Sequence, residues 1–264
     1  QLVKNFIVIT QNNNNPLRAM AMQLGCTILE HNPDIGGRYS VFSNVGLLPA
    51  CIMGLDIKKI RQGASDFLDK IENESYYQHI VGAYGFYKLQ LLKLINLNVL
   101  MTYGDALFFF GKWYLQLWAE SIGKKNKGIT PIHSIGTTDQ HSQLQLYLDG
   151  PQDKFFTLIL SDHQNKGLRM NKKILSENKL NYLAGKKMGD LMHAEQKSTL
   201  NTLINNKLPT RSIFLKEVNE FAIGQLMAYF IGETVAICNI MGVDPFSQPA
   251  VEEGKKLTKK YLSS

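Results

Sequence analysis

Three short polar strings, far apart in the chain, carry side chains that could hold an anion and exchange protons. Residues 36–40 read GGRYS, residues 137–142 read TTDQHS, and residues 248–255 read QPAVEEGK. Each string interrupts mostly apolar sequence, so we expect folding to bring them into one site. An arginine, a histidine and a lysine in one site would suit sugar-phosphate chemistry, because they can bind its charge and transfer its protons.

Arg38 and His141 each stand in a tightly patterned context. Arg38 follows Gly37, and glycine lets a ligand approach the backbone closely. Its guanidinium could bind a phosphate or a developing enediolate oxygen. A histidine titrates near neutrality, so His141 could act as a general acid or base. The alternatives are an arginine that ties a loop to a carboxylate, and a structural histidine where a loop meets a helix.

Glu120 lies at the end of an apolar helical segment that covers residues 107–121. The negative end of a helix dipole disfavours a charged carboxylate, which suits a group that takes up a proton and returns it. Gln116 precedes Glu120 by one helical turn and should face the same way. The alternative is a surface glutamate at a helix end.

Gln248 and Lys255 belong to the last motif. Their spacing of seven residues predicts that they share one face of a helix. Pro249 is suited to the first turn of that helix. The helix dipole disfavours positive charge near the helix start, which could make a proton of Lys255 available. The alternative is a solvated lysine in the basic tail.

Short apolar runs alternate with helical patterns along the chain. Strands are predicted at residues 6–10, 26–30, 98–103, 131–135, 155–160 and 212–215. Helices are predicted at residues 17–24, 43–55, 56–94, 107–121, 142–148, 188–205 and 218–241, and from residue 248 onward. Strands that alternate with helices in this way are typical of a doubly wound, mostly parallel α/β sheet flanked by helices.

Charge and cysteine content narrow the classes of function. The chain has 29 Lys and Arg against 22 Asp and Glu, which is a moderate basic excess. The lysine runs at residues 124–127 and 255–260 lack the interleaved aromatics of a nucleic-acid surface, and we interpret both as solvated faces. Cys26, Cys51 and Cys238 have no metal or disulfide spacing and are predicted to be buried thiols in a reducing compartment.

The sequence predicts neither a signal peptide nor a membrane span. The N-terminal residues lack a charged leader followed by an apolar stretch and a cleavage site. The apolar stretch at residues 221–241 is interrupted by Glu233, so we interpret it as a buried helix.

Together, these strings resemble the phosphoglucose isomerase family from about residue 6 to the end of the chain. GGRYS followed by VGL resembles one family signature, and QPAVEEGK followed by leucine resembles the other. Glu120 and the pair Gln140–His141 fall between the two in the family's order. The resemblance implies a sugar-isomerase (SIS) fold, a cytoplasmic homodimer, and interconversion of glucose 6-phosphate and fructose 6-phosphate in glycolysis and gluconeogenesis. It implies no metal and no cofactor.

The resemblance also implies a role for each candidate residue. Glu120 corresponds to the base that moves a proton between C1 and C2 through a cis-enediol, and Arg38 to the arginine that stabilises this intermediate. His141 corresponds to the ring-opening histidine, which the family supplies from the neighbouring subunit. Lys255 corresponds to the lysine that assists at the ring oxygen. The substrate-contacting positions correspond to Gly37, Gln116 and Gln248.

The front of the family pattern is missing from this sequence. The family grips the substrate phosphate with a Gly/Ser-rich loop and a Ser/Thr-rich loop in its first SIS half, and no such string occurs here. We therefore expect residues 1–55 to be the end of the first SIS domain and residues 56–264 to be the second SIS domain with its C-terminal helix. Catalysis by the chain alone should then be weak, because remote phosphate binding helps to position the reacting carbons.

Two other functions are compatible with these patterns. One is a SIS module that binds phosphosugars without turning them over, and the other is part of a fused bifunctional enzyme. A binding module would need the residues that hold the ligand but has no use for Glu120, His141 and Lys255 together. Their joint presence favours the enzyme.

Overall fold

The computed structural model of the chain describes residues 2–72, 82, 85, 88, 92, 95–177 and 180–263. The chain divides into two compact units. The first unit contains residues 1–76 and 219–232, and the second contains residues 77–218 and 233–264. The predicted boundary near residue 55 separates the two SIS domains that the family resemblance implies. It is a different division of the chain from these two compact units, and it stays a prediction.

Six strands occur in the described part of the chain: β1 Ile7–Gln11, β2 Thr27–His31, β3 Leu97–Tyr103, β4 Thr130–Gly136, β5 Lys154–Ser161 and β6 Thr210–Leu215. All six predicted strands are confirmed, each within two residues at either end. Nine α-helices have both ends within the described residues: α1 Pro16–Leu24, α2 Asn44–Ile52, α3 Ile57–Lys70, α4 Phe108–Ile122, α5 Thr138–Asp149, α6 Lys172–Glu177, α7 Met188–Asn205, α8 Glu220–Met241 and α9 Glu252–Leu262.

Four helix predictions differ from the structure or extend beyond its described part. The helix predicted at residues 43–55 ends at Ile52, and the helix predicted from residue 248 onward begins at Glu252. The predicted helix over residues 56–94 corresponds to α3 as far as Lys70, and most of residues 73–94 lies outside the described residues. α5 begins at Thr138, four residues before the predicted start at Ser142. The short helix α6 was not predicted.

The first unit opens with the predicted β-α-β element. β1 and β2 pair in parallel, with Ile7 opposite Thr27. α1 begins after Asn15, whose side-chain oxygen accepts a hydrogen bond from the backbone N–H of Arg18 at 2.9 Å. It ends at Gly25, whose φ of +70° gives the left-handed cap that glycine adopts readily.

α3 crosses the first part of α8 with the two backbones in close contact. A Cβ atom at Gly63 would lie 2.0 Å from the carbonyl oxygen of Phe221. A Cβ atom at Gly224 would lie 2.0 Å from the carbonyl oxygen of Ile60. Glycine is therefore required at both positions.

The second unit is built on a four-stranded parallel sheet in the order β4-β3-β5-β6. The chain passes from β3 to β4 at one edge and then crosses back to β5 and β6, which is the predicted doubly wound arrangement. On one face, Tyr103 of β3 packs into an apolar cluster with Tyr147 of α5 and Leu203 of α7. On the other face, Asn98 of β3 donates a hydrogen bond to the hydroxyl of Tyr114 of α4 at 2.6 Å.

Close packing on this second face determines the position of α4. A Cβ atom at Gly111 would lie within 2.4 Å of the ring of His133 on β4, so only glycine allows this approach. The ring Nε2 of His133 is hydrogen-bonded to the Thr102 hydroxyl at 2.9 Å. Trp118, which is fully buried, donates its indole N–H to the carbonyl of Ile129 at 2.9 Å. These contacts hold α4, whose last turn carries Glu120.

α8 is the one helix in the described residues whose length and composition would allow it to cross a membrane. It packs against α3 through Gly224. Glu233 within it is fully buried and forms a two-bond ion pair with Arg211 of β6. Since the helix carries a paired buried charge and 44% of its apolar window is buried, we interpret α8 as a core helix.

The three cysteines lie in different environments. Cys238 is buried, Cys26 is half-buried and Cys51 is exposed. The prediction of buried thiols is therefore wrong for Cys51, because α2 buries Ala50 and turns the neighbouring Cys51 outward.

Candidate active site

The first motif folds into a compact turn that holds Arg38. Residues Gly37–Phe42 form a 3-10 helix, and the Ser40 hydroxyl donates to the Gly37 carbonyl at 2.7 Å. Arg38 is only 1% exposed, and its guanidinium carbon lies 5.1 Å from the centroid of the Tyr39 ring. There is open space around the position that a Cβ atom of Gly37 would occupy. The first unit therefore presents Gly37 and Arg38 as a pre-formed element.

Glu120 and Gln116 form a pair on the last turns of α4, as their spacing predicts. The Gln116 side-chain amide donates a hydrogen bond to Glu120 Oε1 at 3.1 Å. Glu120 is half-buried, whereas Trp118, on the opposite side of the helix, is fully buried. The amphipathic helix thus directs Glu120 away from the core and into a pocket.

The pocket that contains Glu120 has a volume of about 800 Å³ and lies within the second unit. Its walls are the end of α4, the turn at residues 123–127, Asp244, and residues 247–251. Gln248 is among its lining residues. Folding therefore brings Gln116, Glu120 and Gln248 together from parts of the chain that are far apart in sequence.

The prediction that Gln248 and Lys255 share a helix face is wrong. Gln248 precedes a 3-10 turn, Pro249–Val251, and its φ of −153° is not helical. A residue before proline is disfavoured in the helical region, so the helix cannot include it. Lys255 does lie in the first turns of α9, as predicted, and its ammonium donates to Glu252 Oε1 at 2.6 Å.

His141 lies inside α5 rather than at a loop-to-helix junction. Its backbone N–H donates to the Thr137 carbonyl at 3.1 Å, and its side chain is exposed. His141 lines a second pocket, of about 480 Å³, together with Gln140 and Glu195. The structure therefore does not bring His141 into the pocket that contains Glu120.

The surroundings of this second pocket orient the residue next to His141. The Tyr103 hydroxyl donates to Gln140 Oε1 at 2.7 Å. Burial raises the pKa of Tyr103 to about 12, so this hydroxyl keeps the proton that it donates. Burial also raises the pKa of the Glu195 carboxyl.

The sequence profile of one family matches residues 1–264, and that family is described as phosphoglucose isomerase. The chain belongs to the phosphoglucose isomerase family. A glucose-6-phosphate isomerase of Rubrobacter xylanophilus is 35% identical over 253 residues, which cover 96% of this chain and 59% of that protein. A glucose-6-phosphate isomerase of Methanocaldococcus jannaschii is 36% identical over 95% of this chain and 62% of that protein. The chain thus spans about three fifths of the length of these relatives.

Two solved structures agree with a phosphoglucose isomerase fold for this chain. A hypothetical protein from Thermus thermophilus matches 99% of this chain and 64% of its own with a TM-score of 0.90 and 30% identity. A glucose-6-phosphate isomerase from Chlamydia trachomatis matches 100% of this chain and 53% of its own with a TM-score of 0.78. At 20% identity, the second likeness supports the fold alone.

Two groups of residues beside the phosphoglucose isomerase motifs were missed by the sequence analysis. One is the lysine turn after α4, whose amines bind helix carbonyls. A glycine followed by lysines after an apolar helix is a C-cap pattern, and it could have indicated this role. The other is the contact of Tyr103 with Gln140, for which the sequence contains no signal. Across the described residues, no group of three or more His, Cys, Asp or Glu is arranged to hold a metal ion.

Proposed function

We propose that the chain carries most of the active site of an aldose–ketose isomerase that interconverts glucose 6-phosphate and fructose 6-phosphate. The observation that carries the proposal is the pocket in which Glu120, held by Gln116, lies together with Gln248. Membership of the phosphoglucose isomerase family and relatives named glucose-6-phosphate isomerase support it.

In this proposal Glu120 accepts the proton from C2 of the open-chain aldose and returns it to C1, through a cis-enediol. Gln116 holds the carboxylate through one oxygen, so the proton is transferred in a defined direction. Arg38 stabilises the negative charge that develops on the enediol oxygens, because a guanidinium group is positively charged and presents several hydrogen-bond donors. Gly37 and Gln248 contact the substrate.

Ring opening comes before proton transfer, and we assign it to His141 and Lys255. His141 is exposed and lines a pocket other than that of Glu120, which supports its action in a neighbouring subunit. We therefore infer a homodimer. We also infer that it acts in the cytoplasm, in glycolysis and gluconeogenesis. Residues 1–55 and 56–264 would then belong to its first and second SIS domains.

The test is the variant Glu120→Gln, made in the polypeptide that the natural gene encodes. Isomerisation is assayed by coupled spectrophotometry from glucose 6-phosphate to fructose 6-phosphate and in the reverse direction. Loss of a general base should lower kcat by roughly 10²–10⁴-fold. Calorimetry should show that glucose 6-phosphate still binds. Glu253→Gln is the matched control, because Glu253 is exposed on α9; it should keep wild-type kcat.

Unchanged turnover in Glu120→Gln would remove this residue from the base role. A wild-type protein that binds glucose 6-phosphate without isomerising it would instead favour the phosphosugar-binding module.

A further inference from the structure

The turn that follows α4 is tied to the end of that helix by Lys124. The Lys124 ammonium donates to the carbonyl of Glu120 at 2.8 Å and to the carbonyl of Ser121 at 2.5 Å. These carbonyls lie in the last turn of the helix, where backbone acceptors have no partner within the helix. A cation there also interacts favourably with the helix dipole. Lys124 therefore holds the backbone from which the Glu120 side chain projects.

The same turn is tied to the end of α8, more than a hundred residues away in sequence. The Lys127 ammonium donates to the carbonyl of Met241 at 2.6 Å, and the Lys125 ammonium donates to the carbonyl of Gly242 at 3.2 Å. All these residues belong to the second unit. One short turn therefore joins the C-terminal ends of two helices.

The backbone of this turn shows that its conformation is held by its surroundings. Lys125 and Asn126 have φ values of 54° and 57°, in the left-handed region that residues other than glycine seldom adopt. Two consecutive residues in this region persist only where neighbouring contacts determine them. The hydrogen bonds of Lys125 and Lys127 to the end of α8 are such contacts.

The two tied helix ends carry two of the walls of the pocket that contains Glu120. One wall is the end of α4, and the other is the segment that leaves α8 and reaches Gln248 seven residues after Met241. Asp244 stiffens this segment, since its carboxylate accepts a hydrogen bond from the backbone N–H of Phe246 at 2.9 Å. Because this segment is short and stiffened, a shift of the end of α8 should also shift Gln248.

We propose that Lys127 is a positioning residue of the isomerase site, which sets the separation between Glu120 and Gln248 by anchoring the end of α8 to the turn after α4. This inference rests on the proposed function. Lys127 lines the pocket, but its ammonium is bound to the Met241 carbonyl and acts through the backbone, so its removal should misalign the base without abolishing substrate binding.

The experiment replaces Lys127 by Met, which keeps a long apolar side chain but loses the donor, in the polypeptide as it is naturally encoded. Lys127→Arg restores a donor that can reach the Met241 carbonyl. Lys197→Met, an exposed lysine on α7, is the matched control. A displacement of about 1 Å can cost roughly 100-fold in rate, so we expect kcat of Lys127→Met to fall about 10- to 100-fold. KM should change by only a few-fold, Lys127→Arg should recover most of kcat, and Lys197→Met should match the wild type.

The readout is kcat per folded enzyme, and the folded fraction is taken from urea unfolding. If Lys127 only stabilised the fold, its loss would lower the folded fraction but leave kcat per folded enzyme unchanged. An unchanged kcat in folded Lys127→Met, with Glu120→Gln inactive, overturns the positioning role and leaves the proposed function intact. An active Glu120→Gln overturns the proposed function itself. If Lys127→Met does not fold, Lys127→Gln, which has a shorter side chain with a polar end, decides: a fall in kcat supports the inference, and an unchanged kcat overturns it.

Discussion

The ion pair between Arg211 of β6 and Glu233 of α8 tests how the second unit holds its last long helix. Both guanidinium Nη atoms donate to the carboxylate, and the bond from Nη2 to Oε2 measures 2.8 Å. Glu233 is fully buried, and the Arg211 side chain is 20% exposed. We predict that Glu233→Gln, which keeps the shape of the side chain but removes its charge, destabilises this unit.

The size of the effect follows from what Arg211 retains. Breaking a buried pair by removing one partner typically costs about 3–5 kcal/mol, because the remaining charge is left buried and uncompensated. Arg211 keeps a hydrogen bond from Nε to the Thr157 hydroxyl at 2.9 Å and lies 5.6 Å from the centroid of the Phe155 ring. It is also partly solvated. We therefore expect a loss at the lower end of the range, about 3 kcal/mol.

Urea unfolding followed by tryptophan fluorescence would measure this loss. The chain contains two tryptophans, Trp113 and Trp118, and both lie on α4 in the second unit, so the signal reports this unit. With a denaturant slope of about 1–3 kcal/mol per molar, the midpoint should fall by about 1 M or more.

A double variant distinguishes the effect of an unpaired buried charge from the effect of changing the buried side chains. Arg211→Met with Glu233→Leu replaces both charges by apolar groups of similar size and should be close to neutral. A Glu233→Gln variant that loses less than about 1 kcal/mol, with cooperative unfolding, would refute the claim that the pair is desolvated as the structure indicates.

Two further predictions concern pH and backbone contact. Burial lowers the pKa of His133, and the nearby positive charge of Lys112 lowers it further, so the folded state favours the neutral ring. The unfolding free energy should therefore be highest at pH values above the pKa of histidine in the unfolded chain, about 6.5, and it should decline as the pH falls below that value. Urea midpoints from about pH 8 to about pH 5 should show this decline, and a wild-type slope retained in His133→Asn would contradict it. Gly224→Ala should cost about 1–3 kcal/mol or more, because its Cβ would overlap the Ile60 carbonyl. Gly254→Ala on exposed α9, which has open space, should be neutral or stabilise by up to ~1 kcal/mol. Equal urea midpoints for the two glycine variants, measured by far-UV circular dichroism because Gly224 and both tryptophans lie in different units, would exclude the close crossing.

The sequence alone predicted the six strands and most of the helices to within a few residues, although not α6, because the signals of these elements are local. β5 and the other buried strands were visible as short apolar β-branched runs. α7 was predicted at residues 188–205 and is observed at Met188–Asn205. α1 was predicted from Pro16 and Gly25, which restrict φ at its two ends. The family motifs likewise predict site roles for Glu120, Gln116 and Gln248, and these roles stay predictions.

The tertiary structure decided what depends on contacts between distant segments. The sequence predicts the start of α5 at residue 142 because the preceding residues are polar and show no apolar period, whereas the folded helix begins at Thr138 and so includes His141. The sequence pattern predicts a solvated face for the lysine turn after α4. Lys127 is exposed, yet its ammonium binds the Met241 carbonyl, 114 residues further along the chain. No local pattern contains such a contact, since the folded sheet alone brings the two helix ends together.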